Sequence, residues 1–129
     1  MESKYLIDSN VIIDYMANRF SPSSNVFIEN IFETEFVIPS VVKIEVLGFS
    51  DVQKKLEALE EFVDHALIIP LEKNIIDQTI KLKREYKKLK LPDAIIAATA
   101  IVCNSILITR NISDFKNVLD LKFINPHEI

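Results

Sequence analysis

The sequence predicts an α/β domain in which a mainly parallel β-sheet is covered by helices on both faces. Three observations support this fold class. Short apolar runs alternate with segments of helical periodicity, which is typical of parallel strands joined by helices. The apolar runs are four or five residues long with uncharged centres, as expected of strands buried on both faces. The 129 residues, 49% of them apolar, suffice for one domain with a sizeable core.

The apolar runs and the helical periodicity give the order of the elements. The predicted strands are apolar runs bounded by polar or turn-forming residues, at 4–8, 36–39, 66–69, 105–109 and 121–125. The predicted helices have apolar residues at helical spacing, at 9–18, 23–33, 40–49, 51–63, 72–88 and 92–104. A short turn or helix is expected after the fourth strand.

Composition limits the cellular setting and the kind of site. No apolar run reaches the roughly 18 residues that a membrane helix needs, and the N-terminus lacks the basic and apolar regions of a signal peptide. We therefore expect residues 1–129 to form a single domain that is soluble, does not contact membranes and, in a prokaryote, is cytoplasmic. The single cysteine excludes an internal disulfide and a cysteine-rich zinc site.

The charge is unevenly distributed. The net charge of −4, taken alone, argues against nucleic-acid binding. Residues 81–90 (KLKREYKKLK) contain six basic residues and one acid, so this segment carries +5 and the rest of the chain −9. A basic segment in an otherwise acidic domain is compatible with binding of a polyanion. The ordinary alternative is that these residues form a solvent-exposed helix face.

Four acidic residues occupy unusual places in this pattern. Asp8 ends the first strand, and Glu45 lies on the apolar stripe of its helix, where an unpaired carboxylate would cost several kcal/mol. Asp93 begins a helix that is otherwise apolar all round, and Asp114 follows the fourth strand. Each has an ordinary alternative: a turn or cap for Asp8, a salt bridge for Glu45, the helix dipole for Asp93, and capping with Asn111 for Asp114.

Taken together, the four acids predict a metal site. In parallel sheets, functional groups gather beyond the carboxyl ends of the strands, where Asp8 and Asp114 are expected. Several carboxylates cannot share a pocket without raised pKa values or a cation that neutralises them. Ligands that are all oxygen favour Mg²⁺ or Mn²⁺ over zinc. We expect His65 and His127 to play no part in such a site.

Four segments, in their order and spacing, resemble those of PIN-domain nucleases, and most closely VapC toxins of prokaryotic toxin–antitoxin pairs. The segments are YLIDSNVIIDY, SVVKIEVLGF, LPDAIIAATA and LITRNISDF, and FINP closes the chain. The resemblance implies a three-layer α/β/α sandwich and an acidic site made of Asp8, Glu45, Asp93 and Asp114. Ser9 stands where the family more often has Thr and can supply the same hydroxyl.

The resemblance also implies an endoribonuclease that depends on Mg²⁺ or Mn²⁺. Asp8, Asp93 and Asp114 would hold the ion, and Glu45 would orient the attacking water or a second ion. The products would carry a 5′-phosphate and a 3′-hydroxyl. Supporting donors around the carboxylates would be Ser9, Asn10, Thr109 and Asn111. Some family members have a further Asp in place of Asn111. Asn111 lowers the negative charge of the site and would weaken binding of a second ion, and both one ion and two remain open.

Substrate and partners follow from the same resemblance. Basic residues that could contact RNA phosphates are Lys83, Arg84, Lys87, Lys88, Lys90 and Arg110. A small antitoxin is expected to cover apolar faces of helices 23–33 and 51–63, and a homodimer is expected.

Three rival functions are compatible with parts of the pattern. The same site could serve RNA maturation or turnover, or the domain could bind RNA or protein without catalysis, although all four acids are present. A phosphoacceptor receiver domain has a similar α/β order. That function would need an acid pair after the first strand and a lysine after the last, and Asp8-Ser9 and Lys122 match it poorly.

Overall fold

The computed structural model describes residues 4–48 and 53–129, and it confirms the predicted α/β fold. The strands, each within a predicted run, are β1 (Tyr5–Ile7), β2 (Val37–Pro39), β3 (Leu67–Ile69), β4 (Ile106–Ile108) and β5 (Phe123–Ile124). The α-helices are α1 (Ser9–Met16), α2 (Pro22–Phe32), α3 (Ser40–Gly48), α4 (Gln53–Val63), α5 (Lys73–Glu85), α6 (Leu91–Val102) and α7 (Ile112–Phe115). A 3₁₀ helix (Pro126–Glu128) was not predicted. The predicted ends of helices 40–49 and 51–63 lie partly outside the described residues.

The five strands form one parallel sheet in the order β3-β2-β1-β4-β5. Leu6 of β1 is in register with Val37 of β2 and with Leu107 of β4. The chain builds the sheet outward from β1 in one direction, and then returns to add β4 and β5 on the other side. The strand order therefore reverses between β1 and β4, which is where ligands of open α/β sheets bind.

Helices cover both faces of the sheet, which confirms the three-layer sandwich. Right-handed crossovers are nearly universal between parallel strands. They place α1 to α4 on one face, because these helices connect β1 to β2 and β2 to β3. They place α5 to α7 on the opposite face, where α5 packs along α6 and α6 contacts α7.

The centre of the core is made of strand residues that are completely buried, such as Leu6, Ile38 and Leu107. Helix α6 is buried along most of its length, and its alanines, including Ala97 and Ala98, have no exposed surface. Burial of this helix therefore explains its apolar sequence, as predicted. Helix α6 also contacts α3.

The chain ends two helices with asparagine in the left-handed conformation, Asn18 (φ 56°) after α1 and Asn104 (φ 52°) after α6. Asparagine tolerates this conformation better than most residues, which matters in a chain with a single glycine. Helix α5 ends at Glu85 and not near Lys88 as predicted. The chain turns there, and the Leu89 amide donates to the Tyr86 carbonyl at 3.0 Å. No helix in the described ranges is long and apolar enough to cross a bilayer.

Candidate active site

The predicted acids lie around the point where the strand order reverses. Asp8 directly follows β1 and caps the N-terminus of α1, and Thr109 directly follows the neighbouring strand β4. Asp8 is only 3% exposed and Thr109 is completely buried. The two residues meet because β1 and β4 are parallel neighbours and end at the same level.

Hydrogen bonds hold both carboxylate oxygens of Asp8. Its Oδ1 accepts from the Ser9 amide at 2.7 Å. Its Oδ2 accepts from the Thr109 hydroxyl at 2.8 Å and from the Asn10 Nδ2 at 3.1 Å. Burial nevertheless raises the pKa of Asp8, because it outweighs the lowering effect of these bonds from Thr109, Ser9 and Asn10.

Asn10 joins α1 to the loop that follows β4. Its Oδ1 accepts from the Arg110 amide at 3.0 Å, and its Nδ2 also lies 3.2 Å from the Thr109 hydroxyl. The loop continues to Asn111, whose amide donates to the Thr109 hydroxyl at 3.0 Å and whose Nδ2 donates to Asp114 Oδ2 at 2.6 Å. One hydrogen-bond network thus reaches from Asp8 to Asp114, through three of the predicted supporting residues.

Glu45 extends from α3 towards the same place. Its Oε1 is buried and has no hydrogen-bond partner. Burial raises the pKa of Glu45 most, the charges of Asp8 and Asp93 raise it further, and a hydrogen bond from the Ser9 side chain lowers it. A buried, unpaired carboxylate oxygen is costly, so this atom calls for a proton or a cation.

Asp93 is the third residue of α6 and couples to two other acids. Its pKa is raised to about 6, first by burial and then by the charges of Asp114 and Asp8, while the charge of Lys90 lowers it. These electrostatic effects, with those on Glu45, link all four predicted acids. The structure brings them into one neighbourhood although they are far apart in the chain.

Sequence analysis missed one buried acid close to this site. Asp14 of α1 has no exposed surface, and both of its carboxylate oxygens accept from Arg110 Nη1, at 2.8 and 2.9 Å. Arg19 Nη1 lies 3.2 Å from its Oδ1, and the Nε2 of His127 lies 2.8 Å from its Oδ2. Asp14 could have been selected in the same way as Glu45. It lies three residues after the buried Val11, so it places a carboxylate on the buried face of α1.

The predicted RNA-contacting residues differ in their surroundings. Lys83 is engaged inside the fold, because its Nζ donates to the Leu89 carbonyl at 2.5 Å. Arg110 forms the ion pair with Asp14 but remains half exposed, with 50% of its side chain accessible. Solvent-exposed residues of the set are Arg84, Lys87, Lys88 and Lys90.

Comparison with known proteins identifies the family. A model of the PIN domain matches residues 5–120. The chain belongs to the PIN domain family. Proteins of this family are generally nucleases, and the resemblance predicted from the four segments is confirmed.

Solved structures show the same fold. A toxin–antitoxin complex from Klebsiella pneumoniae is 29% identical over 98% of this chain and 100% of its own, with a TM-score of 0.78. VapBC2 from Rickettsia felis, bound to a DNA fragment from its promoter, is 23% identical, with coverages of 95% and 98% and a TM-score of 0.78. DNA-bound VapBC from Salmonella typhimurium is 18% identical, with coverages of 95% and 98% and a TM-score of 0.80. A search of curated proteins gave no match.

The acids of this PIN domain suit a hard divalent cation better than a soft one. Within residues 4–48 and 53–129, no three His, Cys, Asp or Glu side chains are arranged to hold an ion by themselves. Mg²⁺ does not require such a set, because it keeps several waters and binds through one or two carboxylates. The unpartnered Oε1 of Glu45 and the raised pKa values of Asp8 and Asp93 fit such a cation.

The metal-free PIN domain is expected to lose stability as the pH rises from about 4 to about 6. The pKa of Asp93 is about 6 in the folded protein against an ordinary value of 3.8, so the folded state binds more protons in this window. The stabilisation is complete below the ordinary pKa and is lost as the pH rises through about 6. Asp93→Asn should remove this contribution. Thermal unfolding of both proteins in EDTA measures it, and parallel stability curves would contradict it.

Proposed function

We propose that this PIN domain is an endoribonuclease that requires Mg²⁺ or Mn²⁺ and acts in the cytoplasm as the toxin of a toxin–antitoxin pair. The observation that carries the proposal is the buried, unpartnered Oε1 of Glu45 beside Asp8 and Asp93, whose pKa values are also raised. Such an arrangement is unfavourable for a protein that has only to fold, and perturbed carboxylates of this kind concentrate at functional sites.

The residues proposed to hold the ion, directly or through its bound waters, are Asp8, Asp93 and Asp114. When bound, the ion would polarise a phosphate oxygen of the substrate and lower the pKa of a bound water. The hydrogen bonds to Asp8 from Ser9, Asn10 and Thr109 fix the direction of its carboxylate. Asn111 likewise holds one oxygen of Asp114 and leaves the other for a ligand.

Glu45 is proposed to receive the proton of the attacking water. Its Oε1 makes no hydrogen bond within the protein and is therefore available to accept one. Burial and the neighbouring acids raise its pKa, which makes its carboxylate a stronger base than an exposed glutamate. Attack on phosphorus by this water would leave a 5′-phosphate and a 3′-hydroxyl.

An antitoxin partner is proposed because the similar solved structures include toxin–antitoxin complexes. Exposed apolar side chains would provide contacts for such a partner or for a second copy of the chain. Examples are Val26 on α2, which is 61% exposed, and Ile44 on α3, which is 66% exposed. A bound antitoxin would inhibit cleavage, so the activity must be measured on protein freed of any partner.

The purified protein, freed of any partner, should cleave RNA when Mg²⁺ or Mn²⁺ is added and not in EDTA. Mapping of the cleaved ends should find 5′-phosphates and 3′-hydroxyls. Intact RNA at every metal concentration would contradict the proposal and favour a non-catalytic binding function.

Growth of cells that express the chain separates the two enzymatic functions. A toxin should arrest growth, and Asp93→Asn should relieve the arrest. Normal growth combined with cleavage of a defined precursor would instead assign the site to RNA maturation or turnover.

A further inference from the structure

A pocket with a volume of about 380 Å³ lies beside the acidic site, between the α5–α6 turn and the end of α7. Three lysines line one side: Lys87, Lys88 and Lys90. Ser113 and Asn117 supply hydroxyl and amide groups on the other side. The volume is in the range of pockets that enclose small organic ligands, such as one nucleotide.

Hydrogen bonds fix the shape of this pocket. The Nζ of Lys83 donates to the Leu89 carbonyl at 2.5 Å and holds the α5–α6 turn against α5. The Leu119 amide donates to the hydroxyl of Tyr86 at 3.2 Å and joins the two sides of the pocket. The pocket is therefore built into the fold and does not depend on the position of the exposed lysine side chains.

The charge of the pocket suits a phosphate group. Its three lysines are exposed, and they stand out in a chain whose net charge is −4. Lys90 is also the N-cap residue of α6, and its side chain provides no acceptor for the amides of the first turn. The positive end of the α6 dipole lies at this residue and adds to the attraction for an anion.

The pocket is continuous with the acidic site. Asp114 also lines the pocket, and it is the only acid among the lining residues that the structure describes. Lys90 also lines the pocket and its charge acts on Asp93, so the pocket and the acids are close to each other. A strand whose scissile phosphate lies at the acids would extend directly into the pocket.

We propose that this pocket binds one nucleotide of single-stranded RNA next to the cleaved bond, with Lys87, Lys88 and Lys90 contacting its phosphate and Ser113 and Asn117 donating to its sugar–phosphate oxygens. This inference rests on the proposed nuclease function. A pocket of one nucleotide favours single strands, because a duplex would not release a nucleotide to enter it.

The test is the salt dependence of RNA binding by Lys87→Ala/Lys88→Ala, with Lys90 kept because it acts on Asp93. Binding of a fluorescent single-stranded RNA is measured by anisotropy in EDTA, where no metal-dependent cleavage occurs, from about 50 to about 200 mM salt. Loss of two of the three lysines that contact this phosphate should weaken binding and reduce the slope of log affinity against log salt by up to about 0.7, the value for one phosphate of a single strand.

The matched control is Lys55→Ala/Lys81→Ala, which removes the same charge at exposed positions outside the pocket. Its slope should equal that of the original protein. Equal slopes for all three proteins, equal losses in both variants, or no binding by the original protein would each overturn the proposal. Because no metal is present, a failure of binding is distinct from a failure of cleavage.

Discussion

Asp93→Asn is expected to reduce metal-dependent RNA cleavage by about 100-fold or more, since even loss of a residue that supports a metal ligand costs about 10- to 100-fold. The substitution keeps the size of the side chain and removes its charge. Initial cleavage rates at saturating Mn²⁺ measure the effect. An equally active variant would remove Asp93 from the proposed site.

Asp93 is a better position for this test than Asp8. Both oxygens of Asp8 accept hydrogen bonds, from Ser9, Asn10 and Thr109, so an asparagine amide there would face donors and destabilise the fold. The raised pKa of Asp93 shows that its charged form is disfavoured in the metal-free protein. Asp93→Asn should therefore be at least as stable as the original protein at neutral pH, and its loss of activity could not come from unfolding.

The control for Asp93→Asn is the same substitution at an exposed acid away from the site. Asp64→Asn meets this condition, because Asp64 lies after α4 and is exposed. Its cleavage rate should stay within about twofold of the original, because surface substitutions away from special features have small effects. A comparable loss in Asp64→Asn would mean that net charge, and not the metal site, governs the rate.

Asp14→Ala is expected to cost about 2 kcal/mol of unfolding free energy, because it removes the buried acceptor of several hydrogen bonds from basic groups that are themselves partly exposed. Asp14 has no exposed surface and its two oxygens contact Arg110, Arg19 and His127. His127 also stacks on Phe20 with ring centroids 4.4 Å apart, so the C-terminal 3₁₀ helix should loosen. Urea unfolding followed by circular dichroism gives the value.

Arg19→Ala is the comparison for Asp14→Ala. Its side chain is 57% exposed, so its ion pair with Asp14 is screened by solvent and should contribute less than about 1 kcal/mol. A large loss in Asp14→Ala with a small loss in Arg19→Ala would locate the effect in the buried carboxylate. Similar, small losses in both would show that the buried cluster does not stabilise the fold.

The sequence predicted the elements well because burial leaves a clear pattern. Strands such as Ile106–Ile108 are apolar and short, and α6 is apolar all round because it is buried. Glu45 and Asp93 could be selected because a carboxylate among apolar neighbours is costly. In each case a residue and its immediate neighbours contain the signal.

Features that depend on contacts between distant segments could not be predicted in the same way. The ion pair of Asp14 with Arg110 joins α1 to the loop after β4, and the bond from Lys83 to Leu89 joins α5 to the turn that follows its early end. Nothing near Lys83 in the sequence distinguishes it from Lys87, which is exposed. The four acids were predicted as a group, but the orientation of their oxygens required the structure.

The bond between Asp8 and Thr109 spans 101 positions of the chain. During translation, the first strand leaves the ribosome long before the strand that must lie beside it. The carboxylate therefore has none of its support from Thr109 until most of the polypeptide has been made. For the proposed ribonuclease, the support of Asp8 by Thr109 is therefore in place only after the late central strand has been inserted, which would keep a nascent chain inactive beside the ribosome that is making it.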